Sequence, residues 1–270
     1  MKYTVVTSIL LTFGSIVSSV PSAFKQGKWF DRVVVAIFEN ENYSNVIKND
    51  VFKTIASRGV LLSNSHGIAH PSQPNYVAII GGDKRGVLLD NNVDLTGRNL
   101  VDILEENGVT WGTYQQGYPA GSCFKGDSGD YKRKHNPFIS FNNIRDNAAR
   151  CSKIQSFKDF ERKLETGETV EQFVFITPDM KNDGHDTTIE YSANFLTNYL
   201  LPKLDKLDDG RTLFVVTYDE SESYFFNSNQ IYTAIWGSGA KSRAGQTDNT
   251  FYDQYSISAT LYANWNLPNL

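Results

Sequence analysis

The sequence predicts an α/β protein in which a mostly parallel central sheet lies between two layers of helices. Strand-like apolar runs alternate with helix-like periodic segments, which is the order that builds parallel sheets. Residues 33–38 are all apolar and rich in Val and Ile, as expected of a strand buried on both faces. No repeat or long low-complexity linker divides the chain. Residues 24–270 are therefore predicted to form one domain with a three-layer α/β/α architecture.

The predicted elements follow one another in this β–α order. The strand at 33–38 precedes apolar residues at helical spacing in 46–55, and a helix at 99–107 ends at Gly108. The other predicted strands are 60–62, 110–115, 172–177, 213–218 and 231–236, and the other predicted helices are 157–165, 189–207 and 252–265. Residues 118–151 show little apolar periodicity and are predicted to form a long excursion over the mouth of the site.

The N-terminal segment is typical of a secretory signal peptide. Lys2 is followed by an uncharged, largely apolar stretch at 5–17 and by small residues at 18–23. The stretch is shorter than the roughly 20 residues that span a bilayer. We therefore expect a signal peptide at residues 1–19 that is cleaved between residues 19 and 23. The mature protein is then expected to be secreted or located in the cell wall, without a stable membrane anchor.

Charge and cysteine content narrow the class of protein. The chain has 26 Lys and Arg against 30 Asp and Glu, and this mildly acidic balance argues against nucleic acid as the main partner. Cys123 and Cys151 are expected to form one disulfide after secretion. Two buried free thiols are the alternative.

The segment from His70 to Tyr76 places a small nucleophile, Ser72, just before a Pro-Asn pair at the predicted start of a helix. The free N–H groups and the positive dipole end of a helix favour an anionic, phosphate-like ligand. A serine beside proline more often lies in a plain turn. The interpretation of Ser72 as a nucleophile therefore depends on polar residues elsewhere in the chain.

Two residue pairs, each with at least one carboxylate and named the acidic pairs below, follow predicted strands. Glu39-Asn40 comes after 33–38 and Asp219-Glu220 comes after 213–218. The carboxyl ends of parallel strands lie at one edge of a sheet, so we expect the pairs to converge. Their oxygen ligands suit one divalent cation, with Ca, Mg, Mn and Zn as candidates. Exposed loop carboxylates or helix N-caps are the alternative.

The histidine content limits the number of metal ions. Sites that hold two zinc ions generally use three or more histidines, and this chain has four, His66, His70, His135 and His185. His66 and His70 are expected to be loop residues. His135 lies in a basic run that either is a solvated loop or recognises phosphate. Asp183 and Asp186 would orient His185 and raise its pKa. The sequence therefore predicts a single metal ion.

Five motifs along the chain carry a family resemblance. They are Phe38-Glu39-Asn40, Pro71-Ser72-Gln73-Pro74-Asn75-Tyr76, Arg133-Lys134-His135-Asn136-Pro137, the segment from Pro178-Asp179 to Asn182-Asp183-Gly184-His185-Asp186, and Thr217-Tyr218-Asp219-Glu220. In this order they resemble the phosphoesterase family, which groups secreted acid phosphatases with bacterial phospholipases C in the alkaline phosphatase superfamily. The resemblance extends over about residues 33–267.

The resemblance implies an alkaline-phosphatase-like fold and a role for each site residue. Ser72 would be the nucleophile that becomes phosphoserine. Asn75 and Asp186 would bind substrate, and His135 and His185 would hold phosphoryl oxygens or assist the leaving group. The metal ligands would be Glu39, Asn40, Ser72, Asp219 and Glu220.

These features together predict a secreted acid phosphatase that hydrolyses small phosphomonoesters. The chain is shorter than the phospholipases C and resembles the fungal-type acid phosphatases, which usually continue somewhat further. A phospholipase C-type phosphodiesterase and a non-catalytic binding protein are the alternatives. A serine carboxylesterase is disfavoured because the chain contains no G-x-S-x-G nucleophile elbow.

Overall fold

The computed structural model describes residues 24–121, 123–223 and 228–270. The predicted signal peptide and its cleavage region lie outside these residues. In the part of the chain that is described, no helix combines the length and the apolar character that a membrane span requires.

The strands and helices alternate as the sequence predicts. The strands are β1 (Arg32–Phe38), β2 (Gly59–Leu62), β3 (Ser65–His66), β4 (Trp111–Gln115), β5 (Ile154–Ser156), β6 (Phe173–Thr177), β7 (Thr212–Tyr218), β8 (Gln230–Ile231), β9 (Thr233–Gly237), β10 (Gln246–Asp248) and β11 (Tyr252–Asp253). The helices are α1 (Tyr43–Val46), α2 (Asp50–Ser57), α3 (Gln73–Gly81), α4 (Leu100–Glu106), α5 (Pro137–Ser140), α6 (Asn142–Arg145), α7 (Ala148–Cys151), α8 (Phe157–Thr166), α9 (Ile189–Phe195), α10 (Leu201–Asp205) and α11 (Tyr255–Trp265). A π-helical segment (Leu196–Leu200) joins α9 to α10, and Arg133–His135 and Lys241–Arg243 are 3₁₀ turns.

The central sheet is mostly parallel. Within the described residues it has eight strands in the order β10-β2-β9-β7-β1-β6-β4-β5. The strands β7, β1, β6, β4 and β5 pair in parallel, whereas β9 is antiparallel to β2 and β7. A smaller sheet has the order β11-β3-β8. The predicted α/β fold class is confirmed.

Helices cover both faces of this sheet. Every residue of β1 is buried, and its alternate side chains enter two separate cores. Val35 packs in the core that contains Ile79 of α3, whereas Phe38 packs in the core that contains Phe52 of α2. A strand that lies between two helical layers needs apolar residues on both faces, which accounts for the unbroken run at 33–38.

α3, the helix that follows Ser72, is buried along its whole length. All nine of its residues are buried, as expected of a helix that is apolar on all sides. Gly82 follows it with a φ of 74°, a left-handed conformation that commonly ends helices and favours glycine. Ser72 is its N-cap residue, so the predicted helix start is correct.

Three predicted boundaries are wrong. The stretch 46–55 is two helices, because Asn49 begins a new one by accepting a hydrogen bond from Val51 N at 3.0 Å. The stretch 231–236 is divided between β8 and β9, which belong to different sheets. The C-terminal helix begins at Tyr255 rather than at 252, where the chain first forms β11.

The segment 118–151 is more than a surface excursion. It contains α5, α6 and α7 and buries Phe138, Phe141 and Ile144 in the core beside α3. Cys123 and Cys151 form a disulfide with a Cα–Cα distance of 5.8 Å, which confirms the predicted pairing. The bridge ties the polar first part of the segment to the buried end of α7.

Candidate active site

The two acidic pairs meet at one edge of the sheet. Parallel pairing of β1 with β7 sets Phe38 opposite Tyr218, so Glu39 and Asp219 follow side by side. Asp219 N donates a hydrogen bond to Phe38 O at 3.1 Å. Asn40 N lies 3.4 Å from Asp219 Oδ1. The predicted convergence of the pairs is therefore seen in the backbone itself.

Ser72 lies between two carboxylates. Its Oγ is 3.0 Å from Glu39 Oε2 and 3.0 Å from Glu220 Oε1, and its side chain is buried. One hydroxyl proton can be donated to only one of these oxygens at a time. Burial and the charge of Glu39 raise the pKa of Glu220 to about 8, so a protonated Glu220 can donate the second hydrogen bond.

His135 is buried within the acidic cluster rather than solvated. Its Nε2 lies 2.9 Å from Glu39 Oε1, and its Nδ1 lies 3.6 Å from Asp183 Oδ2. Burial alone would raise the pKa of Glu39, but the charge and hydrogen bond of His135 and the charge of Lys134 together outweigh burial and lower that pKa to about 2. The structure thus excludes the solvated-loop interpretation of this histidine.

Tyr76 joins α3, the helix that Ser72 caps, to Glu39 and His135. Its hydroxyl donates a hydrogen bond to Glu39 Oε1 at 2.8 Å. Its ring stacks on the His135 ring with centroids 5.0 Å apart and planes 19° apart. Sequence reasoning missed this role, although Tyr76 is four residues after Ser72 and so lies on the same helical face.

His185 lies at the mouth of the cluster. Its side chain is 28% exposed, and its Nδ1 is 2.8 Å from Asp186 Oδ1. Its ring centroid is 6.5 Å from that of His135. The loop is held in place because Glu39 N donates to Asp183 O at 3.1 Å and His185 N donates to Asp183 Oδ1 at 2.8 Å. Asp186 therefore orients His185, as predicted, and its binding of substrate stays a prediction.

The side chain of Asn75 contacts the loop before Ser72. Its Oδ1 accepts hydrogen bonds from Ile68 N at 2.8 Å and Ala69 N at 3.1 Å, and its Nδ2 donates to Ala69 O at 2.9 Å. These contacts fix the loop that leads to Ser72. The binding of substrate by Asn75 stays a prediction.

His70, which was expected to be a plain loop residue, contacts the acidic cluster. Its Nδ1 pairs with Glu220 Oε2. His66, in contrast, lies in β3, where its ring stacks on Phe251 and hydrogen bonds to Asn64 and Ser228. His70 is two residues before Ser72, and that proximity was the available signal.

The oxygen-rich cluster fits a divalent cation by its chemistry. Within the described residues, no group of three or more His, Cys, Asp or Glu side chains is already arranged as a metal site. In the same part of the chain, Asn40 Oδ1 and Asp219 Oδ2 are buried without a hydrogen-bond partner. Burial and the charge of Glu39 raise the pKa of Asp219. Several buried carboxylates thus lie close together and repel one another when ionised. A hard divalent cation bound between them would offset this repulsion.

The chain thus combines a mostly parallel α/β sheet with a buried serine-carboxylate cluster where β1 and β7 end. Residues 42–268 match the sequence profile of the Phosphoesterase family, and the chain belongs to this family. The family resemblance seen in the five motifs is confirmed.

Several named proteins are similar to this chain. It is 36% identical over 261 residues to a probable acid phosphatase of Kluyveromyces lactis, covering 91% of this chain and 60% of that protein. It is 34% identical to an acid phosphatase of Aspergillus fumigatus, covering 93% of this chain and 58% of that protein. It is 28% identical to a phosphatidylinositol-3-phosphatase of Mycobacterium tuberculosis, covering 97% of this chain and 85% of that protein. The chain thus spans about 60% of the length of the two fungal relatives.

Solved structures support the fold. An alkaline phosphatase superfamily protein from Vibrio parahaemolyticus matches with a TM-score of 0.56 and 12% identity, covering 88% of this chain and 66% of that one. A mutant TAB5 alkaline phosphatase with bound Mg matches with a TM-score of 0.50 and 10% identity, covering 90% of this chain and 100% of that one. At these identities the likeness concerns the fold alone.

Proposed function

We propose that this chain is a phosphoric ester hydrolase that acts as an acid phosphatase on small phosphomonoesters. The observation that carries the proposal is the buried Ser72 hydroxyl, 3.0 Å from carboxylate oxygens of both Glu39 and Glu220. A serine in this position, at the first turn of a buried helix, is suited to attack an anionic ester. The names of the fungal relatives support the same activity.

We propose one divalent cation as cofactor. Glu39, Asn40, Asp219 and Glu220 would hold it together with Ser72. When bound, such a cation supplies the positive charge that lowers the pKa of the serine hydroxyl and offsets charge on a phosphoryl group. The unpartnered oxygens of Asn40 and Asp219 support this donor set.

The side chains divide the chemistry between them. Ser72 gives its hydroxyl proton to one of the two carboxylates that its Oγ contacts. Its Oγ attacks phosphorus and forms phosphoserine, while the leaving oxygen departs on the opposite side. His185 is the exposed histidine of the site, and we propose that it gives its proton to the leaving oxygen. Asp186 orients the imidazole. His135, buried against Glu39, holds phosphoryl oxygens. Water then attacks phosphoserine, His185 takes a proton from that water, and the departing Ser72 oxygen recovers its proton from the carboxylate.

Replacement of the nucleophile tests this proposal. Ser72→Ala should lower p-nitrophenyl phosphate turnover by about 10⁴-fold or more, because attack by the serine is lost. Ser258→Ala is a matched control, since Ser258 is also buried but lies in α11. Acid quench of the wild type with labelled substrate should trap phosphate on Ser72. Label on a histidine, or normal turnover by Ser72→Ala, would contradict the mechanism.

A phosphodiesterase is the second candidate that the same chemistry permits. The Mycobacterium relative is named for removal of a phosphate from an inositol lipid, which favours monoester hydrolysis. Parallel assays with p-nitrophenyl phosphate and bis-p-nitrophenyl phosphate decide between the two. Faster hydrolysis of the diester would overturn the monoesterase assignment.

We further propose that the protein is secreted after cleavage between residues 19 and 23. The charge pattern of residues 1–23 supports this. Intact mass of secreted material should lack the leader. Retention of Met1 would contradict the assignment.

A further inference from the structure

Lys134 forms an ion pair beside the nucleophile that the mechanism above leaves unused. Its Nζ donates a hydrogen bond to Asp90 Oδ2 at 2.9 Å. Asp90 Oδ1 in turn accepts a hydrogen bond from Gln73 N at 2.9 Å. Gln73 is the residue after Ser72 and the first residue of α3. The ammonium group is thus linked through one carboxylate to the turn that carries the nucleophile.

Lys134 also faces the acidic cluster. Its side chain is 18% exposed. Burial lowers its pKa, but the charge of Glu39 and the hydrogen bond to Asp90 outweigh burial, and the pKa is raised. The charge of Asp219 acts in the same direction. The negative charges of Glu39, Asp90 and Asp219 thus favour the ammonium form of Lys134.

The neighbouring basic residues Arg133 and Lys132 pair with acidic residues outside the cluster. Arg133 is bound by Asp94 and by the carbonyls of Lys125 and Val93. Lys132 pairs with Asp127 at 3.6 Å. Of this basic run, Lys134 and His135 carry charges that act on the acidic cluster: both lower the pKa of Glu39, and Lys134 also lowers that of Glu220.

We propose that Lys134 is a substrate-binding residue that donates a hydrogen bond to a non-bridging phosphoryl oxygen of the ester. An ammonium group carries three N–H donors, and Asp90 is the one hydrogen-bond partner of Lys134 Nζ within the described residues. Donors therefore remain for a phosphoryl group at Ser72, and Asp90 keeps the ammonium beside that residue. The proposal rests on the proposed function, because it places the phosphoryl group at Ser72.

A purely structural role predicts a different outcome. If Lys134 only neutralises buried acids, its removal lowers stability and leaves phosphate affinity unchanged. If it binds the phosphoryl group, its removal weakens binding of both substrate and the product, inorganic phosphate. Phosphate binding is therefore the measurement that separates the two roles.

Lys134→Met should raise both KM for p-nitrophenyl phosphate and the inhibition constant of inorganic phosphate by about tenfold to a hundredfold, as expected for loss of a charged hydrogen bond. Lys134→Arg should restore part of the affinity. Lys132→Met is the matched control, and its constants should equal those of the wild type. Unchanged constants in a folded Lys134→Met protein would overturn the proposal.

A second measurement uses the wild-type protein, so it does not depend on whether a variant folds. Lysines are acetylated with a limiting reagent in the presence and absence of saturating inorganic phosphate, and modified peptides are quantified by mass spectrometry. Phosphate should slow modification of Lys134 several-fold and leave Lys132 unaffected. Equal modification of Lys134 in both conditions would overturn the proposal. Protection of Lys134 in a protein without phosphatase turnover would instead refute the proposed function alone.

Discussion

Tyr76→Phe removes one hydroxyl from the centre of the candidate site and leaves the ring in place. Tyr76 is fully buried in α3. Its hydroxyl donates to Glu39 Oε1 at 2.8 Å while its ring stacks on His135. The substitution therefore isolates the hydrogen bond that holds Glu39 in position.

The size of the effect follows from the charge of the acceptor. The pKa of Glu39 is held at about 2, so its carboxylate is ionised at any working pH. A hydrogen bond to a charged group contributes about 1.5–3 kcal/mol. We expect Tyr76→Phe to lower the free energy of unfolding by about 2 kcal/mol. A shift of Glu39 beside Ser72 should also reduce kcat by about tenfold to a hundredfold.

Tyr232→Phe provides the matched control. Tyr232 is also buried, and its hydroxyl donates to the backbone oxygen of Phe52 at 2.7 Å on the other face of the sheet. Loss of a bond to a neutral acceptor should cost about 1 kcal/mol and leave kcat unchanged. Urea unfolding and p-nitrophenyl phosphate kinetics measure both effects. Equal loss of stability in the two variants, together with normal kcat in Tyr76→Phe, would refute the reasoning.

Two further outcomes are expected. His185→Asn should slow the hydrolysis of alkyl phosphates and of p-nitrophenyl phosphate to different extents, with the loss for alkyl phosphates about tenfold larger or more. The reason is that a good leaving group such as p-nitrophenol needs less proton donation. An equal loss for both substrates would argue against His185 as the acid. Chelation of divalent cations should abolish turnover and lower the melting temperature, because the buried carboxylates would then repel one another. The ion is identified by which of Mg, Mn, Ca and Zn restores turnover when added back. Full turnover in metal-free protein would contradict the cofactor assignment.

Local sequence patterns were sufficient for the central strands and for the meeting of the acidic pairs. A strand buried on both faces must be apolar throughout, so 33–38 and 213–218 were recognisable without knowledge of their neighbours. The edge at which Glu39 and Asp219 meet then followed from parallel pairing. These predictions depend on backbone geometry that many sequences share.

Features that depend on tertiary packing could not be predicted in this way. The helices α5, α6 and α7 have four residues each, too few to show a helical period, so their buried Phe138 and Phe141 left no pattern. The basic run 132–135 looked uniform, yet Lys132 pairs at the surface while His135 is buried. Asp90, in a loop, carried no local signal of its contact with Lys134.

The burial of α3 has a consequence for how the site moves. A helix with all nine residues in the core cannot open without exposing much of the apolar interior. Its amide protons should therefore exchange with solvent only through global unfolding. Ser72 is thereby anchored to a helix that is expected to exchange slowly, whereas His185 lies on a partly exposed loop. Thermal fluctuation should alter the position of His185, the proposed proton donor, before it alters that of Ser72, the proposed nucleophile.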